Sequence, residues 1–169
     1  DPYVLGISSG ASLGATLAIM LGIGGFLGGN SVGVSAFIGA MITSFAVIAI
    51  ANMGGKATSA KLILAGMAIS AVCSAFSNFV IYITNDKNAA TEVMKWNMGS
   101  LAGASWARVS AMVPVTLVCV LLFLTQYRSL NLMLLGDEVS ITLGTDLHRL
   151  RTVYLVVASV MIGFAVYCA

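Results

Sequence analysis

Apolar residues run along this chain in blocks of about 20, separated by short polar or glycine-rich stretches. The blocks fall at about residues 5–27, 32–51, 60–84, 107–127 and 152–169. Each complete block is long enough to cross a hydrocarbon core of about 30 Å as a helix. The pattern predicts an all-α, polytopic transmembrane helix bundle, with all 169 residues belonging to one membrane domain.

The separators differ in kind. Gly28, Gly29, Asn30 and Ser31 predict a turn, while Gly54 and Gly55 break the second block ahead of a basic loop with Lys56 and Lys61. Ser59 is a candidate N-cap for the third span. Asp86, Lys87, Glu92 and Lys95 forbid a span between the third and fourth blocks. A short interfacial helix is expected there, over about residues 88–99, with Val93, Trp96 and Met94 on its apolar edge. Trp96 and Trp106 stand beside span ends, where aromatic belts sit.

The largest interruption is residues 128–151, which hold Arg128, Asp137, Glu138, Asp146, Arg149 and Arg151. At roughly 2.5–3.5 kcal/mol per charge, six would cost roughly 15–20 kcal/mol at a helix centre, so this island stands in water or against protein. Its apolar positions, with Asp137 as a cap, Glu138 in a first turn and Gly144 as a stop, suit two short helices about a glycine hinge. They also suit an amphipathic loop lying on the surface. Alternate loops place Lys56, Lys61, Arg128, Arg149 and Arg151 on one side and Lys87, Lys95 and Arg108 on the other, which puts the island in the cytoplasm.

Two faces inside the spans carry information. Gly6, Gly10 and Gly14 recur every four residues, leaving a helix face with almost no side chains, where another backbone can approach. Ser70, Ser74 and Ser77, with Gly66, Ala71 and Ala75, give the third span a small, weakly polar face that either packs on another span or lines an aqueous path. Pro114 lies early in the fourth span, where a kink is tolerated by a membrane bundle.

Composition narrows the class. Apolar residues make up 59% of the chain and charged residues 8%, against about a quarter charged in soluble domains. A net charge of +2 with no basic cluster argues against nucleic acid. Cys73, Cys119 and Cys168 lie in three different apolar segments, which suits buried thiols better than disulfides or zinc ligands. His148, the single histidine, has neither a cysteine nor a second histidine nearby, and no metal site or cofactor is expected. The first residues, DPYVLG, lack a signal peptide's features, and both ends are expected to be cut ends of a longer protein.

Two chemical readings compete with packing. Gly6-Ile-Ser-Ser-Gly10 and Gly10-Ala-Ser-Leu-Gly14 fit G-x-S-x-G, which can mark a nucleophilic serine at Ser8, Ser9 or Ser12. No strand precedes it and the base is not visible nearby, so close helix packing is favoured over an intramembrane serine protease. Met94 and Met98, four apart, can line an entrance, whereas the other methionines read as adaptable packing.

The motifs together resemble a known family. DPYVLGISSGASLGA resembles the "NPLADP-x-LLG-x-SSGA" signature of the FecCD-type permeases of iron–siderophore, haem and cobalamin importers. LILAGMAISAVCSAFSNFVIY looks like that family's fifth span, MKWNMGSLAGASW is similar to its "W-x-MGSL" segment, and LNLMLLGDEVSITLGTDLHRLR resembles its cytoplasmic "LG-x-x-x-A-x-x-LG" motif. Ser140 or Ile141 stands where the family often has Ala.

The resemblance implies a type II importer permease fold, with about five of ten spans present, and no enzymatic activity in the chain itself. Implied partners are two cytoplasmic ATP-binding subunits, an external substrate-binding protein and a second permease subunit, as a homodimer or heterodimer in a bacterial inner membrane. It implies ATPase coupling through Gly136, Asp137, Glu138, Leu143 and Gly144, in coupling helices over about residues 129–150. Met94, Trp96 and Met98 are implied at the binding-protein dock or path entrance, and the third span along the path. A secondary transporter that needs no ATPase is the other transport reading. It would favour intramembrane charges, which these spans almost lack.

Overall fold

Caps and breaks set the element boundaries. The computed structural model describes residues 6–22, 31–53, 58–99, 105–134 and 147–168. These form α1 (Ile7–Met20), α2 (Ser31–Asn52), α3 (Ser59–Thr84), α4 (Lys87–Met98), α5 (Trp106–Thr125), α6 (Tyr127–Leu134) and α7 (Leu147–Cys168). Thr58, not Ser59, caps α3, its side chain accepting from the Lys61 backbone N–H at 3.4 Å. Ser59 is thereby left inside the first turn with a free role for its hydroxyl.

A tight reversal joins α3 to α4. Asn85 ends α3 in the left-handed region at φ 48°, a conformation Asn tolerates better than most residues. Asp86 then caps α4, its carboxylate accepting from the backbone N–H of Asn88 at 2.9 Å and Ala89 at 3.4 Å. Ser105 caps α5, which continues through Pro114.

Four helices are long and apolar enough to span a bilayer: Ser31–Asn52, Ser59–Thr84, Arg108–Thr125 and Leu150–Cys168. The first apolar block is described as helix only over the 14 residues Ile7–Met20, about 21 Å at 1.5 Å per residue. The protein is therefore an all-helical, multi-pass membrane protein.

The core is made of small residues. Ile7, Ala11, Ala15, Ala36 and Ala40 form one buried cluster, and Val47, Ala51, Leu62 and Ala65 form another. The bulkiest apolar side chains instead face outward, with Phe76 57% and Phe79 58% exposed. This inverts a soluble core. Lipid tails are as apolar as leucine, so helices gain by close van der Waals approach and shared hydrogen bonds rather than by hiding large side chains.

Close approach is most severe where α1 crosses α2. A methyl group added at Gly14 would meet the Ser35 carbonyl oxygen, and one at Gly39 would meet the Gly10 carbonyl oxygen. The two helices run antiparallel, since Gly10 lies by Thr43 and Gly14 by Ser35. The α2–α7 pair is antiparallel too and shares a buried hydroxyl pair, Ser44 and Ser159. Ser159 Oγ donates to the Leu155 carbonyl at 2.6 Å, which leaves Ser44 as the donor to Ser159.

Candidate functional site

The polar face of α3 does not pack flush against another span. It forms one wall of a cavity of about 580 Å³, bounded by α1 on the opposite side and by α4 at one end. Ser70, Ser74, Ser77 and Asn78 come from α3, Ser8, Ser9, Ser12 and Thr16 from α1, and Trp96 and Asn97 from α4. The spacing explains the convergence. Ser8 and Ser12 are four apart, as are Ser70 and Ser74, so each helix presents a hydroxyl stripe along one side.

Short hydrogen bonds hold the walls together. Ser9 Oγ donates to the Gly6 carbonyl oxygen at 2.8 Å and lies 3.2 Å from Ser70 Oγ. Gly6 caps α1 in the left-handed region at φ 75°, and a Cβ there would stand 3.0 Å from the Gly66 carbonyl oxygen. Only glycine gives both that backbone conformation and that approach without strain. At the far end Ser12 Oγ donates to Asn97 Oδ1 at 2.6 Å, joining α1 to α4. Thr16 turns its hydroxyl back to the Ser12 carbonyl at 2.8 Å.

Every side chain lining this cavity is uncharged. Hydroxyls, amides and an indole can exchange hydrogen bonds with a polar solute, yet none offers a full charge or a strong metal-ligand set. Among the described residues no group of three or more His, Cys, Asp or Glu is placed to hold a metal ion. The same lining bears on the G-x-S-x-G reading. Ser8, Ser9 and Ser12 face hydroxyls and amides, and among the described residues no imidazole, carboxylate or amine lines the cavity to act as their base. The nucleophile reading is not supported.

The residues of α4 divide between two faces. Trp96 lines the cavity and packs against the cluster of Ile7, Ala11 and Ala15, and Val93 is buried beneath it. The short helix folds onto the bundle, so Trp96, expected beside a span end, also has a protein surface to cover. Trp106, at 88% exposure, is the tryptophan that stands free. Met94 and Met98, 65% and 85% exposed, are not among the residues that line the cavity. Gly10 and Gly14 lie at the α1–α2 crossing and Gly6 at the α1–α3 contact. Gly136, Asp137, Glu138, Leu143 and Gly144 lie outside the described residues.

The cavity's geometry does not name a family, and comparison with known proteins decides it. The sequence model of the FecCD transport family matches residues 1–169. The chain belongs to the FecCD transport family. This FecCD chain is 38% identical over 166 residues to the cobalamin import system permease protein BtuC of Halobacterium salinarum, covering 98% of the chain and 44% of that protein. It is 36% identical over 168 residues to the hemin transport system permease protein HmuU of Yersinia pestis, covering 98% and 50%. The chain thus spans about half the length of the curated relatives it matches. A solved inward-facing metal-chelate type ABC transporter shares the fold, with a TM-score of 0.83 at 24% identity over 99% of this chain and 52% of that one.

Sequence reasoning isolated the serine face of α3 but assigned it no counterpart. Ser8, Ser9 and Ser12 were legible only as a possible nucleophile motif or as spacers in a glycine ladder, and Asn97 carried no signal at all. The one available hint was the matched four-residue spacing of hydroxyls on α1 and α3.

Proposed function

We propose that this FecCD chain is part of the permease subunit of an ATP-driven importer in a bacterial inner membrane, and that it carries cargo without chemically altering it. The observation that carries this reading is the uncharged, hydroxyl-lined cavity between α1, α3 and α4. It gives a polar solute a wall to slide along inside lipid, with no group that would bind it tightly or react with it. A conduit benefits from such weakness, since cargo that binds tightly leaves slowly.

The cargo we propose is a metal chelate: a ferric siderophore, haem or cobalamin. The relatives named for cobalamin and hemin import support this range. So does the lining, which is poor in metal ligands and suits a metal that arrives already wrapped. ATP hydrolysis belongs to two cytoplasmic ATP-binding subunits, delivery to an external substrate-binding protein, and the second half of the path to another permease subunit. Gly136, Asp137, Glu138, Leu143 and Gly144 would meet the ATP-binding subunits, and Met94 and Met98, exposed on α4, would face the binding protein.

The test is uptake by the whole permease, reconstituted in proteoliposomes with its ATP-binding subunits and its binding protein. Ferric siderophores, haem and cobalamin are offered in turn, with and without ATP. Uptake of one chelate only in the presence of ATP is expected. Uptake that persists without ATP would instead establish a secondary transporter, and transport of none of the three would remove the cargo class.

A further inference from the structure

Arg151 is buried, only 8% exposed, although it stands at the edge of the charged island and two residues from Arg149. Its guanidinium donates from Nη2 to Ser59 Oγ at 2.7 Å, a contact between residues 92 positions apart. Ser59 opens α3, the helix that forms one wall of the cavity, and Arg151 lies in the first turns of α7, five residues after Asp146 of the island. Burying a guanidinium is expensive unless it is well bonded, so although Ser59 is itself exposed, its hydroxyl favours keeping Arg151 against the start of α3.

The contact is the first of a row. Arg151, Leu155, Ser159, Ile162 and Val166 follow one another at helical spacing of three and four, so they share one face of α7. Along that face Leu155 packs on the Val47, Ala51, Leu62 and Ala65 cluster, Ser159 pairs with Ser44, and Val166 reaches the cavity wall. One rigid helix therefore runs from the exit of the island to the cavity, and Arg151 fastens its near end to α3.

We infer that Arg151 is a positioning residue for transport: through Ser59 it passes displacement of the island to α3, so that the cavity wall moves with the ATP-binding subunits. The inference rests on the importer reading above. The decisive measurement is one that separates coupling from stability.

The whole transporter is reconstituted with wild-type permease and with the variants Ser59→Ala, Ser59→Thr, Arg151→Lys and Arg151→Gln. Assembly, ATP hydrolysis and uptake are measured for each. Ser59→Ala and Arg151→Gln are expected to assemble and hydrolyse ATP while cargo moved per ATP falls about fivefold or more, the lower range of typical coupling between sites. Ser59→Thr keeps the hydroxyl and Arg151→Lys keeps a charged donor, so both are expected to recover part of that ratio. An unchanged ratio in Ser59→Ala and Arg151→Gln overturns the inference. So does a parallel fall in assembly, hydrolysis and uptake, which would make the contact a structural clasp. Wild-type permease without ATP-dependent uptake would overturn the importer reading itself, before any variant is compared.

Discussion

Ser12 donates to Asn97 across 2.6 Å, and this bond closes one end of the cavity by tying α1 to the short helix α4. Two apolar contacts support it from below, Val93 buried at 2% exposure and Trp96 on the Ile7 cluster. The hydrogen bond itself lies near the surface, so its net worth is about 0.5–1 kcal/mol, or roughly a two- to fivefold shift in how often α4 lifts. Asn97→Ala is therefore expected to expose the cavity more often without unfolding the bundle. The measurement is the labelling rate of Ser77→Cys, a buried lining position, by a membrane-impermeant thiol reagent, with Cys73, Cys119 and Cys168 replaced. A rate no faster than in the Asn97 parent would show that the bond does not restrain α4.

The α1–α2 crossing makes a sharper demand. At Gly14 and Gly39 an added methyl meets a backbone carbonyl oxygen, which no rotamer change can move. Gly14→Ala and Gly39→Ala should each cost about 1–3 kcal/mol, the usual range for overpacking. At Gly10 the obstacle is the Thr43 side chain, whose hydroxyl donates to the Gly39 carbonyl at 2.9 Å. Pairing Gly10→Ala with Thr43→Ala should recover part of the loss, but not all, because the Thr43 Cβ would still stand 2.7 Å from the new methyl. Thermal unfolding of the purified permease in detergent reads these differences. Equal stability of the Gly14→Ala and wild-type proteins would contradict the crossing.

The same crossing shows what the sequence could and could not reveal. An all-helical membrane bundle was legible because blocks of about 20 apolar residues have few other homes. Gly6, Gly10 and Gly14 announced a bare helix face through their spacing, but Gly39, which Gly10 and Gly14 meet, has no such ladder around it. Likewise Ser70, Ser74 and Ser77 were visible as a polar face, with packing and path-lining equally open. Which it was depended on α1, some 60 residues away, turning its own serines toward them. Trp96 was legible only in part for a related reason. A tryptophan beside a span end has the chemistry of a membrane-interface residue, and only the fold of α4 onto Ile7 and Ala11 gives it a protein surface to cover. Local periodicity reports which face of a helix is unusual; the partner of that face is a property of topology.

If the cavity is the path, filling it should block cargo and leave the ATP-binding subunits able to turn over. Ser74→Trp places a large indole among small hydroxyls, and uptake is expected to fall by an order of magnitude or more while ATP hydrolysis continues. Phe76 and Phe79 lie on the outward face of the same helix, so Phe76→Ala and Phe79→Ala supply the comparison. Both should keep most of the uptake. Full uptake by Ser74→Trp, measured as radiolabelled chelate retained in proteoliposomes, would place the path elsewhere.

In the proposed importer, the charged island is where ATP hydrolysis would reach a chain with no nucleotide chemistry of its own. Its sequence suits either an amphipathic surface loop or two short helices about Gly144, a residue that in the second case is suited to the left-handed backbone that ends a helix. A β-branched side chain at such a position costs of order 1–2 kcal/mol and changes the exit direction of the chain. Gly144→Val is therefore expected to let the ATP-binding subunits hydrolyse ATP while cargo movement fails, because the island no longer seats as one body. A second measurement locates the contact directly. Leu143→Cys, paired with single cysteines on the facing surface of the ATP-binding subunit, should crosslink with a yield that changes between nucleotide-free and ATP-trapped states. A yield that is the same in every nucleotide state, together with intact transport in Gly144→Val, would mean that the island does not carry the stroke.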